Sequence, residues 1–434
     1  MLDPKDIRCT KAKIDTKTGV MACAAKPAAR VALLLQGHPS RFWQCLADEL
    51  AEQGAVVHKV NFCLADWLFW GRRPGHSYRG KLADWPEWLS TFVKRQDVTD
   101  LVYYADRFPY HVAARTVGER LGLNCWCIEF GYLRPDWLTL ESGGMGAYSS
   151  FERTRSAITK RAKAGSEPDF EPRYPHSFRA EALNEVVFNL AAVVGRPAFP
   201  HYVADKVYWP PLDYLSWLPK IVLAPLNERR ALRLQEALIA SARPFNVVAM
   251  QIGSDYQIRD GSRYGTLETF LDEVMASFAR AAPRERHLLV KLHPLDSGLE
   301  RWFARARRIS RVHGLSDRVH VIRGGDLGRL LSRSRGVVLV NSTVGLHALR
   351  AYVPVYACGE AIYDVPGLTH QGTLDSFWVE PQPVDRSFLP IFLAALATIQ
   401  VKGSFFAPEG RIVAAREMAA RLLSEPVGPS DALR

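Results

Sequence analysis

Val337-Val338-Leu339-Val340-Asn341-Ser342-Thr343-Val344-Gly345 is the stretch that decides the fold. Gly336 to Val340 reads as a strand with no polar face, so it is buried on both sides. It runs directly into a helix over Leu346–Ala351, and Val353–Ala357 follows as another strand. Strand, short polar turn, helix, strand is the unit of a parallel α/β sheet.

Working outward, the unit recurs on both sides. Phe245–Gln251, His287–Leu292 and Val319–Ile322 are further strands, and Leu267–Ala281 is an amphipathic helix closed by Pro283. Nearer the start, Val31–Leu35, Ala55–Phe62, Asp100–Tyr104 and Cys125–Glu129 read as strands, with helices over Arg41–Gln53 and His111–Leu121. Two open α/β domains in series describe a GT-B-like architecture, two Rossmann-like domains facing a central cleft. The expected division is an extension at 1–29, an N-terminal α/β domain at 30–202, a helical connection at 203–243, a C-terminal α/β domain at 244–400, and a C-terminal helix and tail at 401–434.

Composition narrows the function. The chain has 434 residues, 48% hydrophobic and 23% charged, which excludes disordered and fibrous classes and suits two domains. A net charge of +11 points to an anionic partner: nucleic acid, a membrane surface or a phosphorylated substrate. Residues 1–18 have no apolar signal core, so secretion is not expected. The longest apolar run, Phe388–Val401, contains Pro390 and falls short of the roughly 20 residues a spanning helix needs. Seven cysteines without Cys-x-x-Cys fit reduced thiols, with Cys125 and Cys127 on one face of a strand. No Walker loop, Gly-x-Gly-x-x-Gly, Gly-x-Ser-x-Gly or His-Glu-x-x-His is present.

Two surfaces draw attention as partners of a membrane. From Arg301 to Arg335 there are ten arginines against Asp317 and Asp326, either a face for anionic phospholipid or a set of solvated helix faces. The connection carries Tyr208, Trp209, Tyr214 and Trp217 beside Lys206 and Lys220, which suits interdomain packing or an interface. Nucleic acid is excluded, because the basic residues are not interleaved with aromatics and no recognition module is present.

The chemistry is expected where strands end. Ser342 and Thr343 open a helix, where free N–H groups and hydroxyls attract phosphate, and Gly345 lets a ligand approach the backbone; simple N-capping is the alternative. His293-Pro294 ends a strand, with Lys291 on the same face; His293 suits donation to a phosphate oxygen or protonation of a leaving group, unless it is a satisfied structural histidine. Gln251-x-x-x-Asp255 supplies a carboxylate for a nucleophile or base, or a turn Asp. Glu129, before Gly131-Tyr132-Leu133-Arg134-Pro135-Asp136 and Glu141, offers a second carboxylate from the other domain, or a partner for Arg134.

Taken together, Leu35-Gln36-Gly37, Glu129 through Glu141, Gln251-x-x-x-Asp255, Lys291-x-His293-Pro294 and Asn341-Ser342-Thr343-Val344-Gly345 resemble the bacterial capsule polysaccharide synthesis and export family of KpsS/LipB type. The resemblance spans about residues 30–375. It implies a retaining, metal-independent GT-B glycosyltransferase with no cofactor, using CMP-β-Kdo as donor substrate. Such enzymes build the Kdo linker on a (lyso)phosphatidylglycerol acceptor or Kdo primer, in the cytoplasm at the inner membrane, beside other capsule synthesis and export proteins. It implies Asp255 as nucleophile and His293, Pro294, Ser342 and Thr343 around the CMP phosphate. Glu129 is the expected base, with Gln251, Lys291, Asn341, Gly345, Gln36, Gly37 and Arg134 as substrate-binding residues. Two other readings remain: a non-catalytic assembly component that binds lipid-linked glycan, and a transferase using another CMP-sugar such as CMP-sialic acid. The sequence departs from the family at Phe130, where a second acidic residue is common, and at Ala65-Asp66 and Ala105-Asp106, where many members have Gly-Asp.

Overall fold

A computed structural model describes residues 30–174, 177–206, 208–253, 256–259 and 261–426. The first half holds β1 (Val31–Leu34), β2 (Val56–Asn61), β3 (His76–Ser77), β4 (Asp100–Tyr104), β5 (Asn124–Phe130) and β6 (Trp137–Ser142). The second holds β7 (Phe245–Ala249), β8 (His287–Leu292), β9 (Val319–Arg323), β10 (Val337–Leu339) and β11 (Val355–Ala357), and β12 (Gln400–Lys402) comes last.

The parallel part of the first sheet runs β3-β2-β1-β4-β5, and the second sheet runs β9-β8-β7-β10-β11. Both therefore follow the order 3-2-1-4-5 counted within each half, the Rossmann-like arrangement in a GT-B-like pair. Each sheet has a switch point beside its first strand, between β1 and β4 and between β7 and β10, where open α/β sheets leave a crevice.

Alternation along the strands builds the cores. In β1, Ala32 and Leu34 pack to one side of the sheet, while Val31 and Leu33 pack to the other. In β7 and β10, Val247 and Leu339 face one cluster, whereas Val248 and Val338 face its opposite. Helices cover both faces, so these strands are apolar on both sides.

Three strands of the first sheet escaped the sequence reading: the two-residue β3, at the edge beside β2, and the antiparallel β6 and β12. β6 pairs antiparallel with β5, with Glu129 opposite Thr139, and β12 pairs antiparallel with β6, with Val401 opposite Leu138. The helix Pro408–Ser424 then packs on the helix Phe42–Glu52. Residues 400–426 thus return to the first sheet; the sequence suggested a C-terminal helix and tail at 401–434, and the helix is present but belongs with the first half.

The stretch from Gly131 to Glu141 is a joint between the halves. A Cβ on Gly131 would lie 2.5 Å from the Trp137 backbone, so only glycine lets these two strands meet. Leu133 is buried in the core of the second half, and its N–H donates to Gln400 Oε1 at 3.0 Å. Asp136 Oδ2 accepts from the N–H groups of Arg173 and Tyr174. Ala105 has φ 52, the left-handed region that favours glycine; this is one of the two positions where the resembled family often has Gly.

Candidate active site

The switch point of the second sheet is closed by a reciprocal amide pair. Gln251 Nε2 donates to Asn341 Oδ1 at 2.9 Å, and the Asn341 N–H donates to Gln251 Oε1 at 3.1 Å. Asn341 Nδ2 also donates to the Gln257 carbonyl at 3.1 Å. The loops after β7 and β10 are therefore locked to each other, and both amides are largely used in doing so. Asp255 lies outside the described residues. Its chain neighbours are anchored: Gln251 as above, and Tyr256 by donating to Glu129 Oε2 at 2.5 Å.

That Tyr256–Glu129 bond crosses from one half to the other, joining the end of β5 to the loop after β7. Tyr256 is buried, and burial followed by the Glu129 carboxylate raises its phenol well above the ordinary value. Glu129 thus faces the second sheet, and its partner there is a tyrosine that the sequence reading overlooked. Tyr256 directly follows Asp255, which was the available signal.

His293 follows β8 and is half-buried. Its Nδ1 accepts from the Leu295 N–H at 3.1 Å, so the neutral ring carries its proton on Nε2. Burial, then Lys291, Arg134 and Lys220, push His293 down to about 4. At neutral pH it is an uncharged donor in a cationic setting, suited to an anion's oxygen more than to acid catalysis in the free protein. Arg134 is exposed, with its guanidinium 5.5 Å from the centre of the Phe130 ring. Arg134 also contributes to lowering His347. His347 lies four residues after Thr343, and burial, then Arg350 and Arg134, lower it, so it is a second uncharged imidazole beside that turn; its i,i+4 spacing from Thr343 was the clue.

The remaining expected residues have mixed surroundings. Lys291 Nζ donates to the Gly324 carbonyl at 2.9 Å, and burial lowers its pKa. The Pro294 carbonyl accepts from Lys220 Nζ at 3.3 Å, so the His-Pro loop is strapped to the helix Pro210–Ala240. Ser342 Oγ accepts from the Val344 N–H at 3.2 Å, which leaves its O–H to donate elsewhere. Thr343 is the N-cap residue, but its side chain makes no capping bond. A Cβ on Gly345 would fall 2.2 Å from the Tyr363 hydroxyl, so the missing side chain makes room for Tyr363. Tyr363 in turn donates to the Ser342 carbonyl at 2.5 Å.

In the first half, Gln36 Nε2 donates to Asp66 and, at 3.0 Å, to Tyr202 Oη, within a buried polar group. A Cβ on Gly37 would enter the Trp43 indole. The next residue, His38, is stacked on Phe405 at 4.9 Å and met edge-on by Tyr104 and Phe130. Phe130, which replaces an acid, is thus part of an aromatic wall around His38.

Glu141 is fully enclosed in the joint. Tyr132 donates to Oε1 at 3.1 Å and Ser149 to Oε2, yet burial raises Glu141 to about 7. A raised carboxyl favours the folded state below its unfolded value, and that contribution is lost as pH rises through about 7. Glu141→Gln keeps the shape without the charge. We expect it to be near-neutral at pH 5 and to stabilise the protein by about 1 kcal/mol at pH 8, read from urea midpoints.

The Arg-rich segment is divided among ion pairs. Arg305 and Arg308 share Glu268, Arg323 pairs with Asp296, and Arg329 with Glu236. Much of its charge is therefore neutralised locally. Among the described residues, no helix is long and apolar enough to cross a membrane.

Comparison with known proteins places the chain. Residues 99–406 match the family model described as capsule polysaccharide biosynthesis protein. The chain is 29% identical over 385 residues to the capsule polysaccharide modification protein LipB of Neisseria meningitidis serogroup A, covering 86% of this chain and 91% of that one. It is 30% identical over 354 residues to the capsule polysaccharide export protein KpsS of Escherichia coli, covering 80% and 89%. Among solved structures it is similar to Thermosulfurimonas dismutans KpsC, titled a beta Kdo 2,7 transferase, at 15% identity and a TM-score of 0.44, over 91% of this chain and 98% of that chain. The matched segment contains Glu129, His293 and the Asn341–Gly345 turn, and with that match the chain belongs to the capsule polysaccharide biosynthesis protein family.

Proposed function

We propose that this protein is a retaining glycosyltransferase of capsule biosynthesis that takes CMP-β-Kdo at the strand ends of its second half. It transfers Kdo to a lipid or Kdo-primer acceptor held by the first half. Two strand-end groups support this reading. His293 is held as an Nε2–H donor among Lys291, Arg134 and Lys220, and the loop after β7 is bonded to Glu129 of the other half.

In the proposed reaction the Asp255 carboxylate forms a bond to the anomeric carbon as the bond to the CMP phosphate oxygen breaks. CMP leaves with its electron pair, its charge met by His293 and the hydroxyls of Ser342 and Thr343. The acceptor hydroxyl then attacks the same carbon, Asp255 departs, and the proton passes to Glu129. Two displacements leave the anomeric configuration unchanged. Tyr256 keeps Glu129 directed at the second half.

The test is incubation of the purified protein with CMP-β-Kdo and synthetic lysophosphatidylglycerol, with and without a first Kdo. A mass gain of one Kdo with stoichiometric CMP release is expected. CMP-sialic acid runs in parallel, and product from it alone reassigns the donor. Absence of product with every donor and acceptor, from protein that binds CMP, overturns the transferase reading in favour of a non-catalytic assembly component.

A further inference from the structure

We propose that the helix Pro210–Ala240 seats the protein on an anionic phospholipid bilayer, its residues 209–226 lying in the interface and the arginines of its next turns on the headgroups. One side of this helix is committed to the protein. Lys220 reaches the Pro294 carbonyl, Glu228 accepts from the Gly325 N–H, and Ala231, Gln235 and Leu238 are buried. At 100° per residue the opposite side carries Leu212, Leu215, Val222 and Leu226, and after them Arg229 and Arg233.

That outward side is the reverse of a water-facing helix. Leu215 is 62% exposed and Val222 77%. From Ile221 to Leu226 every residue is exposed, so a full turn of apolar composition, Ile-Val-Leu-Ala-Pro-Leu, is open to its surroundings on every side. From Leu212 to Leu226 the apolar side runs for about 21 Å. Contiguous exposed apolar surface of this kind marks an interaction site. The neighbouring helix Phe178–Val194, joined to this one by the Tyr214 hydroxyl on the Glu185 carbonyl at 3.2 Å, exposes Leu183, Val187, Leu190 and Val194 as a second stripe.

The charge identifies the occupant as anionic lipid. Arg229, Arg230 and Arg233 are exposed and make no hydrogen bond or ion pair among the described residues. The arginines between 301 and 335 are partly neutralised by Glu268, Asp296 and Glu236, so they suit the role less well. An apolar segment followed by unpaired arginines on one helix face, with Trp209 at its start, has the composition of an interfacial helix. A turn apolar on all sides fits acyl chains better than the single face of a protein groove. Because Lys220 ties this helix to the loop of His293, seating it on a bilayer puts the candidate site at the lipid surface.

Co-sedimentation of the full chain with phosphatidylcholine vesicles, with and without about 30% phosphatidylglycerol, tests the proposal without donor or acceptor turnover. Its failure would therefore leave the transferase reading standing. The protein is expected to bind the anionic vesicles, and less so at high salt. Leu215→Glu with Val222→Glu is expected to weaken binding about 100-fold, and Arg229→Ala with Arg230→Ala and Arg233→Ala to remove the preference for phosphatidylglycerol. Arg307→Ala with Arg333→Ala leaves binding unchanged. Thermal melts check folding; if the glutamate variant melts low, Leu215→Ala with Val222→Ala reads the same surface without added charge. The proposal is overturned if the parent ignores anionic vesicles or if the apolar variants bind like the parent. It is equally overturned if those variants abolish a dimer in sedimentation velocity while vesicle binding persists.

Discussion

Asp255→Asn is expected to lower Kdo transfer by on the order of 10³-fold or more while changing CMP affinity by less than about threefold. Asparagine matches the carboxylate in size but does not attack the anomeric carbon, so ground-state binding survives and the first displacement does not. Asp255 lies in the segment between Gln251, tied to Asn341, and Tyr256, tied to Glu129. Both flanks are anchored by groups the substitution does not touch, so loss of activity through unfolding is not expected. Single-turnover assays and calorimetry with CMP separate the two effects. Transfer at the parental rate would remove Asp255 from the chemistry, and a matching loss of CMP affinity would make it a binding residue.

His293→Ala is expected to lower kcat/KM by about 10²-fold, the usual cost of removing one donor from a developing anion. His293→Gln, which restores an N–H near the position of Nε2, is expected to recover about tenfold of that loss. The pH dependence discriminates between roles. His293 is pushed down to about 4, chiefly by burial, so it stays neutral through the physiological range in the free protein. As a donor it should give a parent-to-alanine ratio of kcat/KM that is flat from pH 6 to 8. A ratio that falls as pH rises through that range would instead identify the imidazolium as the working form.

The fold was legible because its strands are apolar on both faces and its helices begin where the strands stop. Val337–Leu339 and His287–Leu292 need no information beyond their own residues to be placed. β6 was hidden because Trp137-Leu138-Thr139-Leu140-Glu141-Ser142 reads as motif rather than strand, and its pairing depends on Gly131 meeting the Trp137 backbone. β12 was hidden because a three-residue strand has too few residues to show periodicity, and its partner is more than 250 positions away in sequence. At the site, sequence located the loops but not the bonds within them. Gln251 and Asn341 looked like ligand contacts, since nothing local says that two amides 90 residues apart satisfy each other. Gly345 suggested open space, and the ring that fills it, Tyr363, arrives from beyond β11. Tyr256 was missed because it sits beside the more conspicuous Asp255, and His347 because it lies one helical turn beyond Thr343, outside the Asn341–Gly345 motif.

The return of residues 400–426 to the first sheet also constrains how this chain is made. During synthesis the first sheet emerges with β6 as an open edge and with the outer side of the helix Phe42–Glu52 uncovered. Both stay bare until residues 400–424 have left the ribosome, because β12 and the helix Pro408–Ser424 follow the whole of the second sheet in the chain. Folding is therefore not vectorial: the first sheet closes only after the second has been made, and in the interval it depends on protection of an adhesive edge. A chain ending near residue 399 would carry that unfinished edge permanently, and aggregation rather than a working half-protein is its foreseeable fate.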